Sequence, residues 1–309
     1  MLALEDQTRQ TSSPAPGAGA PSARDRVAAF MELTKPGITR LVLLTTAVGF
    51  YIASRGAFDL ILLCHTLFGT ALVSSAAGAL NEYVERDIDA RMRRTRYRPL
   101  PSGRVLPRQA VLFALALAAA GLLYLAILVN GVTAVIVGLS LLSYVLVYTP
   151  LKRKTSLSTL IGSFPGALPI LAGWTAAGEP LGPGAWALFW IVFVWQLPHF
   201  LALAWIFRED YRKGGFVMLS LGDDDGRRTG RQILLYGATL LPISLLPTLH
   251  GLTGKLYFFG ALALGLAFLA AGAGMTLRRT DRRAWRLFYA SVAYLPALLL
   301  LMVIDKVPG

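Results

Sequence analysis

Apolar runs about 20 residues long, the length that crosses a bilayer, recur nine times along the chain. They lie at 38–54, 59–82, 108–129, 131–149, 156–176, 184–207, 231–250, 255–277 and 285–304. Charged residues gather between the runs. The pattern predicts an all-α polytopic membrane protein, a bundle of nine transmembrane helices. Ahead of it, residues 1–27 are rich in Ser, Ala, Pro and Gly, mix both charge signs and contain no apolar core. That composition predicts a disordered N-terminal tail, followed by one transmembrane domain over 28–309.

Charge then orients the bundle. Of the 30 Lys and Arg residues, 27 fall in the tail, the 2–3, 4–5, 6–7 and 8–9 loops and their flanks, leaving Arg55, Lys255 and Lys306 on the other side. Short loops that stay in the cytoplasm retain basic residues, so the N-terminus is expected inside. The net charge of +13 is therefore read as topology rather than as a nucleic-acid footprint. Helices 2 and 6 both run into long loops mixing acids and bases, whereas helices 4 and 8 run into short basic turns. Two parallel four-helix repeats with a ninth helix appended are expected, with the two long loops meeting at the repeat interface. The single cysteine, Cys64, excludes both a disulfide framework and a thiolate metal site.

Three stretches carry candidate chemistry. The first, Asn81-Glu82-Tyr83-Val84-Glu85-Arg86-Asp87-Ile88-Asp89, sets four carboxylates at the end of an apolar run, ahead of an arginine-rich segment reaching Arg98. On a helix, Asn81, Glu85 and Asp89 share one face, an oxygen ladder suited to a hard divalent cation. Asp87 points about 200° from Glu85 and is expected to orient Arg86 or a neighbouring arginine. A purely topological salt-bridge cluster is the competing reading. The second stretch, Tyr148 to Ser156, reads either as a basic membrane anchor or as a phosphate clamp of Lys152, Arg153 and the Tyr148 hydroxyl. The third, Trp195-Gln196-Leu197-Pro198-His199-Phe200, leads into Arg208-Glu209-Asp210-Tyr211-Arg212-Lys213. Gln196 and His199 share a face inside an apolar run, where polar groups look into the bundle. No Gly-rich nucleotide loop or His-Glu-x-x-His pair is present.

From Thr34-Lys35-Pro36 through the ninth helix, the chain resembles the haem-acting branch of the UbiA-type intramembrane prenyltransferases. The resemblance rests on Asn81-Glu82-x-x-Glu85-Arg86-Asp87-Ile88-Asp89-x-x-Met92-x-Arg94-Thr95-x-x-Arg98-Pro99-Leu100. It also rests on Tyr148-x-x-x-Lys152-Arg153-x-Thr155, and on Trp195-Gln196-x-Pro198-His199-Phe200 with Asp210-Tyr211. Such a family implies transfer of a farnesyl group from farnesyl diphosphate to a vinyl group of haem b, with Mg2+ as cofactor. By resemblance, Asn81, Glu85, Asp89, Glu209 and Asp210 are the metal-ligand candidates. Catalytic candidates are Asn81, Glu85, Asp89, Lys152, His199 and Asp210. Substrate-binding candidates are His199, Arg94, Arg98, Tyr148, Lys152, Arg153, Arg208, Tyr211 and Lys213. His199 stands where the wider superfamily starts a second aspartate-rich motif, and Ser158, Val217 and Ser220 depart from the branch's usual residues.

The resemblance further implies a multi-pass protein of a bacterial inner membrane. Glu5, Asp6 and Asp25 argue against a mitochondrial transit peptide. The lipid bilayer and the two substrates are the expected partners, with hand-over of product to a downstream haem-modifying enzyme or a terminal-oxidase assembly. Transfer to a quinone-precursor ring is the nearest alternative. Anion transport is a rival from another class, disfavoured by the uncharged outer halves of helices 2 and 6.

Overall fold

The computed structural model describes residues 22–308. Most of the expected disordered tail lies outside the described residues; its end, from Ala23, is already helical. That helix, α1 (Ala23–Leu33), opens with a capping box in which the Ser22 side chain accepts from the Asp25 amide and the Asp25 carboxylate accepts from the Ser22 amide. The long helices follow: α2 (Pro36–Ala53), α3 (Leu60–Asp89), α4 (Pro107–Leu128) and α5 (Gly131–Leu142). α5 continues through a π-helical stretch, Ser143–Tyr148, and a last α turn, Thr149–Leu151. Next come α6 (Ser158–Ala176), α7 (Pro183–Ile206), the short α8 (Arg208–Gly214), α9 (Arg227–Leu249), α10 (Lys255–Leu277) and α11 (Asp281–Ile304).

Sequence-encoded stops and starts explain these limits. Prolines occupy the first turns of α2, α4 and α7, where the missing N–H costs nothing. Asp59, Asn130 and Thr280 side chains accept first-turn amides of α3, α5 and α11. Among the described residues no strand forms, only an isolated bridge between Thr253 and Lys306.

Among the described residues, eight helices are long and apolar enough to cross a membrane. α6 is not among them, although its limits match the fifth expected run. Its composition shows why: it carries Ser158, Thr159, Gly162, Ser163, Pro165, Gly166, Pro169 and Gly173, the small and polar residues of a helix that meets protein rather than lipid. Residues 167–176 are buried without interruption. Close approach to α2 requires the glycines: a Cβ on Gly173 would run into the Thr46 carbonyl, and one on Gly49 into the Ile170 carbonyl. α6 and α7 thus form the centre. α2 and α5 pack on α6, while α9 and α11 pack on α7. Outward-facing residues such as Ile61, Ile127, Val135 and Phe259 are exposed, as a lipid-facing surface requires.

Candidate active site

α3 does not stop where its apolar run does. It continues to Asp89, so the carboxylate stretch is one helical end, with Asn81, Glu82, Glu85 and Asp89 all buried. Each meets a cation delivered by another segment. Lys35 Nζ donates to Asn81 Oδ1. Lys152 Nζ donates to Glu85 Oε1 at 2.8 Å. Arg98 Nη1 donates to Asp89 Oδ2 at 2.9 Å, with its Nε 3.9 Å from Glu82 Oε1. Asp87 faces outward, 77% exposed and 3.7 Å from Arg86, in agreement with its expected place off the ladder.

Burial alone would lower Lys152, but Glu85 and the neighbouring Tyr148 more than offset it and raise its pKa above the ordinary lysine value. Arg98 is likewise lowered by burial and raised, on balance, by Asp89 and Glu82. Lys35 differs: burial, then Arg98, depress it below the lysine value despite Glu82 and Glu85. Two cations are held firmly by carboxylates. The third is under-compensated, the condition in which an arriving anion is stabilising.

Local backbone geometry brings these groups together. Lys35 precedes Pro36 at the start of α2 and adopts the left-handed conformation, φ 49° and ψ 61°, which costs a residue with a Cβ roughly 1–2 kcal/mol. The π stretch Ser143–Tyr148 precedes Lys152, whose Nζ lies 4.5 Å from the Tyr148 ring centroid. Tyr148 leans on Gly162 of α6, where a Cβ would meet the ring. After α8, Gly215 at φ 69° reverses the chain, and the Val217 amide donates to the Lys152 carbonyl at 2.7 Å. The two long loops do meet: the Arg94 amide donates to Asp210 Oδ2 at 3.2 Å, and Ile88, Met92 and Phe216 form a small apolar cluster with Tyr211 against it.

Other expected site residues lie further out. Glu209 is 69% exposed and pairs with Arg212 at 2.8 Å. Arg208 bonds Asp281 of α11 at 2.8 Å, and Arg94 sits over the Phe207 ring. Arg153 and Lys213 are exposed. His199 is half-buried between Trp195, stacked at 5.3 Å, and Phe288 at 5.0 Å. Its Nδ1 is 2.7 Å from Ser291 Oγ, and that hydroxyl already donates to the Phe288 carbonyl at 2.6 Å. Ser291 therefore offers a lone pair, Nδ1 carries the proton, and Nε2 is the free lone pair.

No three His, Cys, Asp or Glu side chains converge as a ready metal cage among the described residues. Even so, the α3 end fits a divalent cation: Glu82 Oε2 and Asp89 Oδ1 are buried with no hydrogen-bond partner, hard oxygens with unspent charge. From Lys35 an apolar cavity of about 100 Å³ runs into the bundle past Thr39, Val42, Val73, Ser74 and Tyr144. Lys35 was not singled out from sequence, and Glu82, although part of the motif, was not among the expected site residues. The sequence signal for Lys35 is a lone lysine before the Pro36 that opens the first run; that for Glu82 is an acid at the close of the second.

The helical membrane bundle thus gathers carboxylates and cations at one end of an apolar groove. The chain belongs to the UbiA prenyltransferase family, whose model matches residues 42–296. It is similar to the protoheme IX farnesyltransferase of Solibacter usitatus, 45% identical over 289 residues that cover 91% of this chain and 99% of that protein. A second protoheme IX farnesyltransferase, from Salinibacter ruber, is 43% identical over 276 residues, covering 89% and 98%. The fold is similar to that of digeranylgeranylglyceryl phosphate synthase, with TM-score 0.76 and 18% identity over 91% of this chain and 98% of that one. It is also similar to a UbiA homolog from Archaeoglobus fulgidus bound to GPP and Mg2+, with TM-score 0.66 and 16% identity over 89% and 99%.

Proposed function

We propose that this protein transfers the farnesyl group of farnesyl diphosphate to a vinyl group of haem b, giving haem O and diphosphate. The observation that carries the reading is the α3 end, where Asn81, Glu82, Glu85 and Asp89 face Lys35, Arg98 and Lys152 at the mouth of an apolar groove. Three carboxylates face three cations of which Lys35 alone is left under-compensated, so a diphosphate brings more negative charge than Lys35 offsets and needs further cations to arrive with it. Asn81, Glu85 and Asp89, with Glu82 beside them and Asp210 across the loop contact, would hold Mg2+, which when bound would supply Lewis-acid polarisation of the diphosphate oxygens.

The chain's own groups do the rest. Lys35, Lys152, Arg98 and the exposed Arg153 surround the leaving group and spread its developing charge, and Tyr148 adds a hydroxyl donor. Arg94, Arg208, Tyr211 and Lys213 line the mouth where haem propionates are met. The groove from Lys35 to Tyr144 holds the farnesyl chain away from water while the allylic C–O bond breaks. Haem's vinyl carbon then attacks the allylic carbon. Water adds to the resulting benzylic-type cation and loses a proton, leaving the hydroxyethylfarnesyl group. His199, with Nε2 as a lone pair, meets haem either at the iron or through that water.

The protein sits in a bacterial inner membrane with its N-terminus cytoplasmic. α6 serves as the fifth of nine spans, two four-helix repeats and an appended α11, shielded from lipid by α2 and α5. Product passes to a downstream haem-modifying enzyme or oxidase assembly.

Haem-dependent release of diphosphate from farnesyl diphosphate tests the reading. Release stimulated by haem b but not by a quinone-precursor acid supports it; the reverse preference overturns it.

A further inference from the structure

We infer that Thr149 is a positioning residue that fixes the amide of Asn81, and through it the way the α3 end meets diphosphate; the inference rests on the function proposed above. Thr149 is 2% exposed and stands where the π-helical stretch returns to α geometry. Its backbone N–H reaches the Tyr144 carbonyl, the i to i+5 bond of the π turn, and its hydroxyl donates to that same carbonyl at 2.8 Å. A carbonyl can only accept, so the hydroxyl proton is committed there. What Thr149 Oγ1 offers Asn81, 3.1 Å away, is a lone pair.

The Asn81 amide group must therefore turn its Nδ2 to Thr149 and its Oδ1 the other way. A second constraint agrees: the partner on the far side is Lys35 Nζ, which can only donate. The two ends fix one orientation, with Oδ1 presented to cations. Remove the hydroxyl and half the constraint disappears. An amide turned over would set N–H against the Lys35 ammonium and leave Oδ1 against an apolar wall, the arrangement of an unsatisfied buried group. Thr149 is also the point at which the π turn sets the phase of Tyr148 and Lys152, so the clamp on α5 and the ladder on α3 share one hydroxyl.

The test uses the full chain purified in detergent and calorimetric binding of farnesyl diphosphate with Mg2+, in the absence of haem. Thr149→Val keeps the shape and removes the hydroxyl; Thr149→Ser keeps the hydroxyl. We expect Val to weaken binding about tenfold or more while the melting temperature stays within a few degrees, and Ser to bind within about twofold of wild type. Asn81→Ala provides the control for mechanism. If Thr149 acts through Asn81, Thr149→Val adds no further loss in the Asn81→Ala background. Losses that simply add, or a Val variant that binds as well as wild type, overturn the inference. A Val variant that melts far below wild type while Ser does not, with binding at lowered temperature unchanged, assigns the hydroxyl to folding alone and also overturns it. Wild-type protein that binds no farnesyl diphosphate instead fails the proposed function.

Discussion

Lys152 and Glu85 give the sharpest way to separate holding the bundle together from doing chemistry. Their side chains are 12% and 6% exposed and their charged atoms 2.8 Å apart, so neither is solvated well enough to stand alone. Lys152→Met strands the Glu85 carboxylate, a loss of about 3–5 kcal/mol for breaking a buried pair by removing one partner. At about 2–4 °C per kcal/mol, the melting temperature falls by about 6 °C or more. Glu85→Gln strands the ammonium and costs a similar amount. The double variant leaves no buried charge and recovers to within about 1 kcal/mol of wild type, since a neutral replacement of an ion pair is close to neutral in stability. Activity behaves differently, because Lys152 is needed by the diphosphate and Glu85 by the Mg2+ that accompanies it: the double variant stays as inactive as the worse single one. Farnesyl diphosphate with Mg2+ at about 100 times its Kd stabilises wild type by about 2.7 kcal/mol and the double variant by much less. Scanning fluorimetry in detergent with and without ligand reads the stabilities of wild type and the three variants, and haem-dependent diphosphate release reads their turnover. A double variant that melts as low as the singles, or one that turns over, refutes the reasoning.

Three further outcomes follow from single contacts. Gly173→Ala pushes a methyl into the Thr46 carbonyl of α2 and is expected to cost about 1–3 kcal/mol by overpacking, measured as a lower melting temperature. Asp223, 4% exposed, accepts from the Thr229 amide at 2.6 Å and the Arg228 amide at 3.2 Å at the start of α9. Burial alone would raise its pKa, but these amides hold it below the ordinary carboxylate value. Its stabilising effect is complete above the unfolded-state pKa of about 4 and lost as pH falls through the lower folded value. Asp223→Ala should therefore cost about 1–2 kcal/mol at pH 7, with the gap to wild type narrowing below about pH 4 in parallel melts. For His199, replacement of Ser291 by Ala frees Nδ1 and lets the proton move between nitrogens, so if His199 ligates the iron the haem absorption spectrum should shift towards that of His199→Ala; an unchanged spectrum in both variants removes His199 as an iron ligand.

The ladder of Asn81, Glu85 and Asp89 was legible because helical spacing is a local property, and the structure adds that α3 runs unbroken past the apolar stretch to carry it. The long-loop contact was legible from loop composition. Lys35 was not, because its importance comes from a left-handed turn and from Asn81, 46 residues away in sequence; neither leaves a periodic trace. The π turn was equally hidden: Ser143–Tyr148 reads as ordinary apolar helix, and in the fold Tyr148 packs against Gly162 and Thr149 against Asn81, directly ahead of Pro150, which has no backbone N–H to donate. α6 reads as a weak span for a physical reason, since a helix surrounded by helices is selected for smallness rather than for hydropathy. Glu209 shows what spacing leaves out: its side chain is 69% exposed and paired with Arg212, a direction that no sequence pattern gives.

The most direct test is a reaction of purified protein with haem b, farnesyl diphosphate and Mg2+ in oxygen-18 water, followed by mass spectrometry of the porphyrin. Wild type is expected to yield haem O carrying one heavy oxygen, and Asp89→Ala, which still binds haem, to yield none. Haem b recovered unchanged from wild type that has bound both substrates would contradict farnesyl transfer to haem b.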